Sequence, residues 1–132
     1  MPKKRIAIGL IWNERDQIVV GQRAEGDSFA GYDELPGGHC ELNESPEDAV
    51  VRECLEETGL SVRVHKLRII IEHTYERGEL ELSFFDCVLS DTMDVPLPPF
   101  RWWSVDEVLK GKFPPANETV LDSIRVSPRL IS

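Results

Sequence analysis

Residues 38–60, GHCELNESPEDAVVRECLEETGL, constrain the fold of this chain more than any other stretch. Ser45 is a favoured N-cap residue, and Pro46 suits the first helical position, where a backbone N–H would have no helical partner. Gly59 suits the left-handed conformation that commonly follows the last helical residue. These signals predict a helix from about residue 46 to about residue 58.

The predicted helix carries three glutamates whose spacing makes their side chains neighbours. Glu57 lies four residues after Glu53, and Glu56 lies three residues after it. Like charges at these spacings repel by about 0.2–0.5 kcal/mol per pair, and Arg52, four residues before Glu56, can neutralise one acid. The pattern therefore favours either a solvated acidic face or a site for a hard cation such as Mg²⁺, which prefers oxygen ligands and bridges carboxylates to phosphates.

At about 100° per residue, one side of the helix is apolar, and the three glutamates are expected on the opposite side. The apolar side comprises Val50, Val51, Cys54 and Leu55. Upstream, the turn at 36–38 (Pro-Gly-Gly) favours the cation hypothesis, because a glycine backbone can approach a ligand closely and present a bare carbonyl to it.

The order of these residues resembles the signature of the Nudix hydrolase family, which here spans residues 38–60. Gly38 is followed after five residues by Glu44, and after seven more by RECLEETGL. Cys54 stands where the family usually has an aliphatic residue, and buried cysteine behaves as a small hydrophobe. The resemblance implies the Nudix fold, an α/β (α+β) architecture in which an αβα sandwich contains a mixed central sheet, as a single domain over residues 1–132.

Within the family, the chain is most similar to the MutT type, the nucleoside triphosphate pyrophosphohydrolases that remove 8-oxo-dGTP. The similarity extends beyond the signature to RIAIGLIWNE, GQRA, ELPGG and FPPANETVL. It implies Mg²⁺-dependent hydrolysis, with Mn²⁺ as a substitute, of a nucleoside triphosphate to a monophosphate and pyrophosphate, in sanitation of the nucleotide pool. The alternatives are another nucleoside diphosphate substrate, such as CTP or dCTP, a dinucleoside polyphosphate or a sugar nucleotide, and a non-catalytic nucleotide-binding regulator.

The resemblance also assigns catalytic roles residue by residue. Glu53, Glu56 and Glu57 are expected to form the carboxylate shell of the metal. Either Glu53 or Glu56 is expected instead to take the proton from the attacking water. Arg52 is expected to orient the acids, and Glu44 to support them near the metal. The complete set of expected metal ligands is Gly37, Gly38, Glu53, Glu56 and Glu57, the glycines through a carbonyl.

The expected substrate contacts lie outside the helix. The resemblance implies that Asn117 reads the edge of an oxidised guanine, a role that suits the donor and the acceptor of an amide, and that Arg23 contacts the base. A helix N-cap is the alternative for Asn117, and a surface charge is the alternative for Arg23. The complete set of expected substrate-binding residues is Arg23, Glu34, Leu35, Gly37, Gly38 and Asn117.

The loop before the tryptophan pair departs from the MutT pattern. MutT-type enzymes often take a further glutamate from this loop, whereas residues 90–100 here offer only Asp91 and Asp94 among several prolines. Aspartate is shorter than glutamate, so the number of metal ions and the identity of the catalytic base stay open.

Composition narrows the class of partner. A formal net charge of −9 disfavours nonspecific binding to nucleic acid or to an anionic membrane, but a nucleotide remains compatible because metal ions supply local positive charge. Three cysteines without metal-ligand spacing suit a reducing cytoplasm, and the N-terminal apolar run is too short for a signal peptide or a membrane span. We expect a small-molecule nucleotide as partner, and a monomer or homodimer.

Patterning predicts the remaining elements of the sheet and its helices. Phe84 and Phe85 are expected to point to opposite faces. One ring is expected in the core, and the other is expected either in the core as well or stacked on a base. Strands are predicted over 4–12, 17–23, 33–35, 40–42, 60–72, 80–89 and 101–103, helices over 105–110 and 118–125, loops over 24–32 and 90–100, and turns over 13–16 and 76–79.

Overall fold

The structure is a computed structural model that describes residues 3–26, 28–76 and 78–130. The predicted loop 24–32 includes Asp27 and the predicted turn 76–79 includes Arg77, and both residues lie outside the described residues, as do Ile131 and Ser132. Within the described ranges, no helix has the length and apolar character needed to cross a membrane.

In the part of the chain that the structure describes, four strands precede the first helix, and three more strands separate it from two C-terminal helices. In order they are β1 (Lys3–Trp12), β2 (Gln17–Gln22), β3 (Asp33–Glu34), β4 (Gly37–His39), α1 (Pro46–Thr58), β5 (Val62–Tyr75), β6 (Gly78–Leu89), β7 (Arg101–Ser104), α2 (Val105–Leu109) and α3 (Glu118–Val126), with a 3₁₀ turn over Pro115–Asn117 before α3.

The strands form one mixed sheet around β1. Its main path runs β3-β2-β1-β6-β5, with β4 paired to β1 and β7 paired to β2. β1 is parallel to β6 and antiparallel to β2 and β4. The predicted mixed sheet is therefore confirmed.

Successive residues of a strand point to opposite sides of the sheet, so the sheet has two faces. Helices cover both of these faces. Phe84 and Phe85 are adjacent on β6, are 0% and 4% exposed, and belong to two different core clusters. α1 covers the face of Phe85, whereas α2 and α3 cover the face of Phe84. The predicted αβα sandwich is confirmed, and the base-stacking alternative for these two rings is wrong because both are buried in the core.

The strand predicted at 40–42 is wrong, because β4 is formed by residues 37–39 instead. Those residues pair with Ile6–Ile8 of β1, and the N–H of Cys40 adds one hydrogen bond to the carbonyl of Arg5 at 2.8 Å. Beyond it, the N–H of Glu44 donates to the carbonyl of Glu41 at 3.0 Å, which turns the chain into α1. β5 and β6 are also longer than predicted, since their ladder continues to the pair Tyr75 and Gly78.

The ends of α1 are those predicted. The hydroxyl of Ser45 accepts a hydrogen bond from the N–H of Asp48 at 3.1 Å, so the N-cap is formed. Gly59 has a φ of 74° and donates its N–H to the carbonyl of Leu55, so the helix ends in a left-handed cap.

The predicted faces of α1 need correction. Leu55 is half exposed, and the buried residues are instead Ala49, Val50, Cys54 and Thr58. At about 100° per residue, Glu53 and Glu57 project between the fully buried Ala49 and Val50, so they point towards the sheet rather than away from it.

Glycines in the sheet make this orientation of α1 feasible. A Cβ atom at Gly38 would lie 2.5–2.8 Å from the carboxylate atoms of Glu53, so glycine leaves the space that this acid occupies. A Cβ atom at Gly9 would lie 2.8 Å from the sulfur of Cys54, so β1 also has a residue without a side chain where the helix crosses it. Close approach of backbone to helix therefore brings the acids to β4.

Candidate active site

Arg52 connects most of the acidic residues of the signature. Its Nε and one terminal nitrogen donate to the two carboxylate oxygens of Glu44 at 2.8 and 2.9 Å. Its other terminal nitrogen donates to Glu53 at 3.0 Å and to Glu56 at 3.3–3.4 Å. The carbonyl of His39 accepts a further hydrogen bond at 3.1 Å. The guanidinium therefore joins α1 to the end of β4 and to the loop between them.

Glu44 is the main partner of this guanidinium. The two hydrogen bonds from Arg52, together with one from the N–H of Glu41 at 2.9 Å, lower the pKa of Glu44 to about 2. The same pairing raises the pKa of Arg52 above its ordinary value. Arg5 also donates to the backbone carbonyl of Glu44 at 2.9 Å. The structure thus places Glu44 beside Arg52, with both of its carboxylate oxygens engaged.

Glu57 has a different environment. One of its carboxylate oxygens accepts the N–H of Gly37 at 3.0 Å. Burial raises the pKa of Glu57 to about 7, and the charges of Glu53, Glu34 and Glu56 act in the same direction against the Gly37 hydrogen bond. A nearby cation would favour the ionised form, because it would offset both the burial and the repulsion.

The three helical glutamates do not already surround a common point. Among the described residues, no group of three or more carboxylate, imidazole or thiol side chains is arranged to hold a metal ion. Glu53 and Glu56 are turned towards Arg52, and Glu57 towards Gly37.

The donor set nevertheless fits a divalent cation chemically. Carboxylates and glycine carbonyls are the oxygen ligands that Mg²⁺ takes, and Gly38 forms a cradle that a Cβ atom would fill. Burial is the main cause of the raised pKa of Glu57, and the negative charges of Glu53, Glu34 and Glu56 add to it.

Arg23 lies immediately after β2 and ties down the loop 24–32. Its Nε donates to the carbonyl of Ser28 at 2.6 Å, and a terminal nitrogen lies 3.4 Å from a carboxylate oxygen of Glu34. The N–H of Arg23 also donates to the carbonyl of Tyr32 at 2.8 Å. Leu35, by contrast, is 8% exposed and belongs to the core on the face of α2 and α3.

Asn117 ends the 3₁₀ turn before α3. Its N–H donates to the carbonyl of Pro114 at 2.9 Å, but its side chain makes no capping hydrogen bond. Asn117 therefore occupies the predicted N-cap position of α3 without a capping bond from its side chain, and the amide is not committed to the helix.

A partly buried apolar surface of the sheet was not recognised in the sequence. It lies on the face of α2 and α3, against the core that contains Leu35, and forms an apolar floor on that face of the sheet. The alternation of apolar residues along β1, β5 and β6 was the signal for it. Its members are Ile6, Ile8, Ile69, Ile71 and Leu80.

Asp91 and Asp94 lie in another part of the molecule. They line a cavity of about 770 Å³ near the C-terminal end of β1, and the described residues around it include none of the three helical glutamates. Asp91 accepts a hydrogen bond from the N–H of Met93 at 2.8 Å, and the backbone carbonyl of Asp94 accepts from the indole of Trp102 at 2.6 Å. The structure does not bring the loop aspartates to the helical acids.

Comparison with known proteins gives a consistent result along the chain. A sequence profile described as the NUDIX domain matches residues 2–124. An 8-oxo-dGTP diphosphatase from Escherichia coli (strain K12) is 33% identical over 127 residues, which cover 95% of this chain and 98% of that protein. An 8-oxo-dGTP diphosphatase from Haemophilus influenzae is 35% identical over 132 residues, covering 92% of each.

A solved structure supports the architecture. The solution structure of the E. coli ORF135 protein matches with a TM-score of 0.80 at 23% identity, covering 97% of this chain and 92% of the other. At this identity the match shows a common fold.

Proposed function

This chain belongs to the Nudix hydrolase family, an enzyme family that cleaves pyrophosphate bonds, and we propose that its substrate is an oxidised purine nucleoside triphosphate such as 8-oxo-dGTP. The products are the nucleoside monophosphate and pyrophosphate. The observation that carries the proposal is the surplus of acids at the bare backbone of residues 37–38. Glu57 binds the N–H of Gly37, Glu53 lies against Gly38, and Glu56 lies beside them on Arg52. Relatives of nearly the same length, both 8-oxo-dGTP diphosphatases, support the choice of substrate.

The three helical glutamates and a carbonyl of Gly37 or Gly38 would hold Mg²⁺, with Mn²⁺ as a substitute. Their mutual repulsion and the raised pKa of Glu57 support this assignment, because a cation relieves both. When bound, the ion neutralises charge on the phosphates and polarises a phosphoryl oxygen.

The chain's own residues position the acids and move the proton. Arg52 holds Glu53 and Glu56 on the side of α1 that faces β4, which limits their rotamers before substrate arrives. One of these two acids accepts the proton of the water that attacks phosphorus, while the phosphoanhydride bond that joins the monophosphate and pyrophosphate parts of the substrate breaks. Glu44 takes no part in proton transfer, because both of its carboxylate oxygens are engaged by Arg52.

The base is recognised on the other side of β4. Oxidation of guanine at C8 places an N–H next to a new carbonyl, and the Asn117 amide can accept from the first and donate to the second. Arg23, braced by Glu34, contacts the base from the opposite edge. The apolar floor that includes Ile6 and Ile8 receives the flat face of the ring.

The test is a panel of nucleotides with Mg²⁺. Pyrophosphate released from triphosphates is converted to phosphate by added pyrophosphatase and measured by colour. The products of the dinucleoside polyphosphate and of the sugar nucleotide include no pyrophosphate, so they are separated and measured by chromatography. We expect 8-oxo-dGTP to have a higher kcat/KM than dGTP. Preferred turnover of CTP, dCTP, a dinucleoside polyphosphate or a sugar nucleotide would replace the proposed substrate. Binding without turnover of any member would instead support a regulator and contradict the enzyme.

Two variants test the assigned residues in the same assay. Glu57→Gln is isosteric, and we expect it to stay folded and lose about 100-fold or more in kcat, because one ligand of the cation is lost. Asn117→Ala should lower the preference for 8-oxo-dGTP over dGTP more than it lowers turnover of dGTP. Near wild-type rates for Glu57→Gln at saturating Mg²⁺, or an unchanged preference for Asn117→Ala, would refute the respective role.

A further inference from the structure

Asp33 is a buried carboxylate on the two-residue strand β3. A buried carboxylate needs hydrogen-bond partners, and Asp33 finds them far away in the sequence. One of its carboxylate oxygens accepts the N–H of Lys112 at 2.8 Å, and its own N–H donates to the carbonyl of Lys112 at 2.8 Å. These two bonds fasten β3 to the segment that follows α2.

The contact is close and is reinforced on both sides. A Cβ atom at Gly111 would lie 3.0 Å from the Asp33 carboxylate and 2.7 Å from the ring of Phe113, so the backbone can approach only because glycine is there. The ammonium of Lys112 lies 4.4 Å from the centre of the Tyr32 ring, where a cation is attracted. Phe113 is buried in the core.

The segment from Phe113 to Asn117 is conformationally restricted, so the position of Lys112 determines the position of Asn117. Pro114 and Pro115 follow Phe113, and proline restricts φ to one narrow range. The hydrogen bond from the N–H of Asn117 to the carbonyl of Pro114 then closes the 3₁₀ turn. A displacement at Lys112 therefore carries over to the amide of Asn117, with few torsions free to absorb it.

Glu34, the other residue of β3, lies next to the second residue proposed to contact the base. Glu34 contacts Arg23, and the register of β2 and β3 pairs Gly21 with Glu34 and Gln22 with Asp33. We infer that Asp33 is a positioning residue for base recognition, which fixes Asn117 relative to Arg23 through the backbone of Lys112. This inference rests on the proposed function of the same site.

Asp33→Ala and Asp33→Asn form the matched pair of variants. The alanine removes the acceptor for the Lys112 N–H, whereas asparagine keeps an oxygen at the same place. Since misplacement by 1 Å can cost about 100-fold, we expect Asp33→Ala to lower the ratio of kcat/KM for 8-oxo-dGTP to kcat/KM for dGTP by about 10-fold or more. Asp33→Asn should keep that ratio within about twofold of wild type.

Trp12→Phe is the control for loss of a buried hydrogen bond elsewhere. It removes the 2.8 Å bond from the Trp12 indole to Asp86 at the far end of β1, and it should leave the substrate ratio unchanged. If Asp33→Ala does not fold, Asp33→Leu removes the acceptor while filling the space.

The outcomes separate the inference from the proposed function. An equal loss of kcat/KM for both nucleotides in Asp33→Ala, or an equal fall of the ratio in Asp33→Asn, would overturn the positioning role. If the wild-type protein turns over no oxidised triphosphate, the proposed function fails. The side-chain amide signals of Asn117 in NMR spectra without substrate then decide the inference, which requires them to shift in Asp33→Ala and not in Asp33→Asn.

Discussion

Arg52 and Arg68 each bind carboxylates and backbone carbonyls, but one lies at the surface and the other in the interior. The side chain of Arg68 is 6% exposed and pairs at 2.9 Å with Asp86, which is fully buried. Trp12 donates its indole N–H to the same carboxylate at 2.8 Å. The other nitrogens of Arg68 reach carbonyls of residues 123, 127 and 129, at the C-terminal end of α3.

Arg52 has a side chain that is 25% exposed, and it has more acids than it can neutralise. Its hydrogen-bonded acids are Glu44, Glu53 and Glu56, of which Glu56 is 58% exposed. Inside the protein one cation meets one anion, and the pair fixes α3 to the sheet. At the surface, the single guanidinium of Arg52 faces three carboxylates. This excess of negative charge marks the place where a further cation can bind. The difference distinguishes a structural ion pair from a candidate site.

The largest effect should come from breaking the interior pair. Asp86→Ala leaves the Arg68 guanidinium buried without its counter-ion, and we expect a loss of about 3–5 kcal/mol in the free energy of unfolding, measured with urea. The turnover number of the folded protein should stay near wild type. Asp122→Ala, which removes a surface pair with Arg125, is the control and should cost less than about 1 kcal/mol. An equally small loss for Asp86→Ala would contradict the comparison.

Removing Arg52 should affect activity more than stability. Arg52→Ala frees Glu53 and Glu56 to rotate, and we expect kcat to fall about 100-fold in the nucleotide assay. Arg52→Lys should not restore it, because an ammonium cannot make the paired hydrogen bonds to Glu44. A wild-type kcat combined with a stability loss as large as that of Asp86→Ala would make the two arginines equivalent.

Without metal, Glu57 should lower the stability of the fold at high pH. Its pKa rises from 4.5 to about 7 on folding, so stability falls as the pH rises through this window. Glu57→Gln keeps an oxygen for the Gly37 N–H and has no charge. Without metal at about pH 8, we expect the free energy of unfolding of Glu57→Gln to exceed that of wild type. The difference should be at most about 1 kcal/mol, because solvent screens the Glu57 carboxylate.

The check on Glu57 is thermal unfolding with and without Mg²⁺. At about pH 4, below this window, Glu57 is neutral, as glutamine is. Wild type and Glu57→Gln should therefore have the same Tm at that pH. Added Mg²⁺ should raise the Tm of wild type more than that of Glu57→Gln. A metal-free wild type that is the more stable protein at about pH 8 would show that no surplus charge exists there.

The smallest effect concerns Glu44. Its pKa is lowered from 4.5 to about 2, so its contribution to stability is present above 4.5 and is lost as the pH falls towards 2. The Tm of wild type should therefore fall more than the Tm of Glu44→Gln between about pH 5 and about pH 2.5. Parallel curves for the two proteins would mean that Arg52 gains nothing from the charge of Glu44.

The sequence predicted features that depend on neighbours along the chain. Ser45 and Gly59 set the ends of α1, because capping needs only residues three or four positions away. The contact of Arg52 with Glu56 is likewise local, at i and i+4. The family signature identified the acids in the same way.

Features that depend on the packed sheet were not predictable in this way. The orientation of Glu53 depends on the bare backbone of Gly9 and Gly38 opposite the helix, and β4 was misplaced because glycine is a poor strand former. The bond from Lys112 to Asp33 joins residues 79 positions apart, and neither residue carries a pattern that points to the other. Both features arise only when distant segments meet in space.

A methyl group at Gly38 would meet the carboxylate of Glu53, so any larger residue there would move that acid. Variation at β4 would displace the acid before it altered any pocket, so evolution or engineering of nucleobase preference is directed to the segments 24–32 and 111–117. A library randomised in those two segments should therefore yield enzymes with new base preferences and an unaltered dependence on divalent ions.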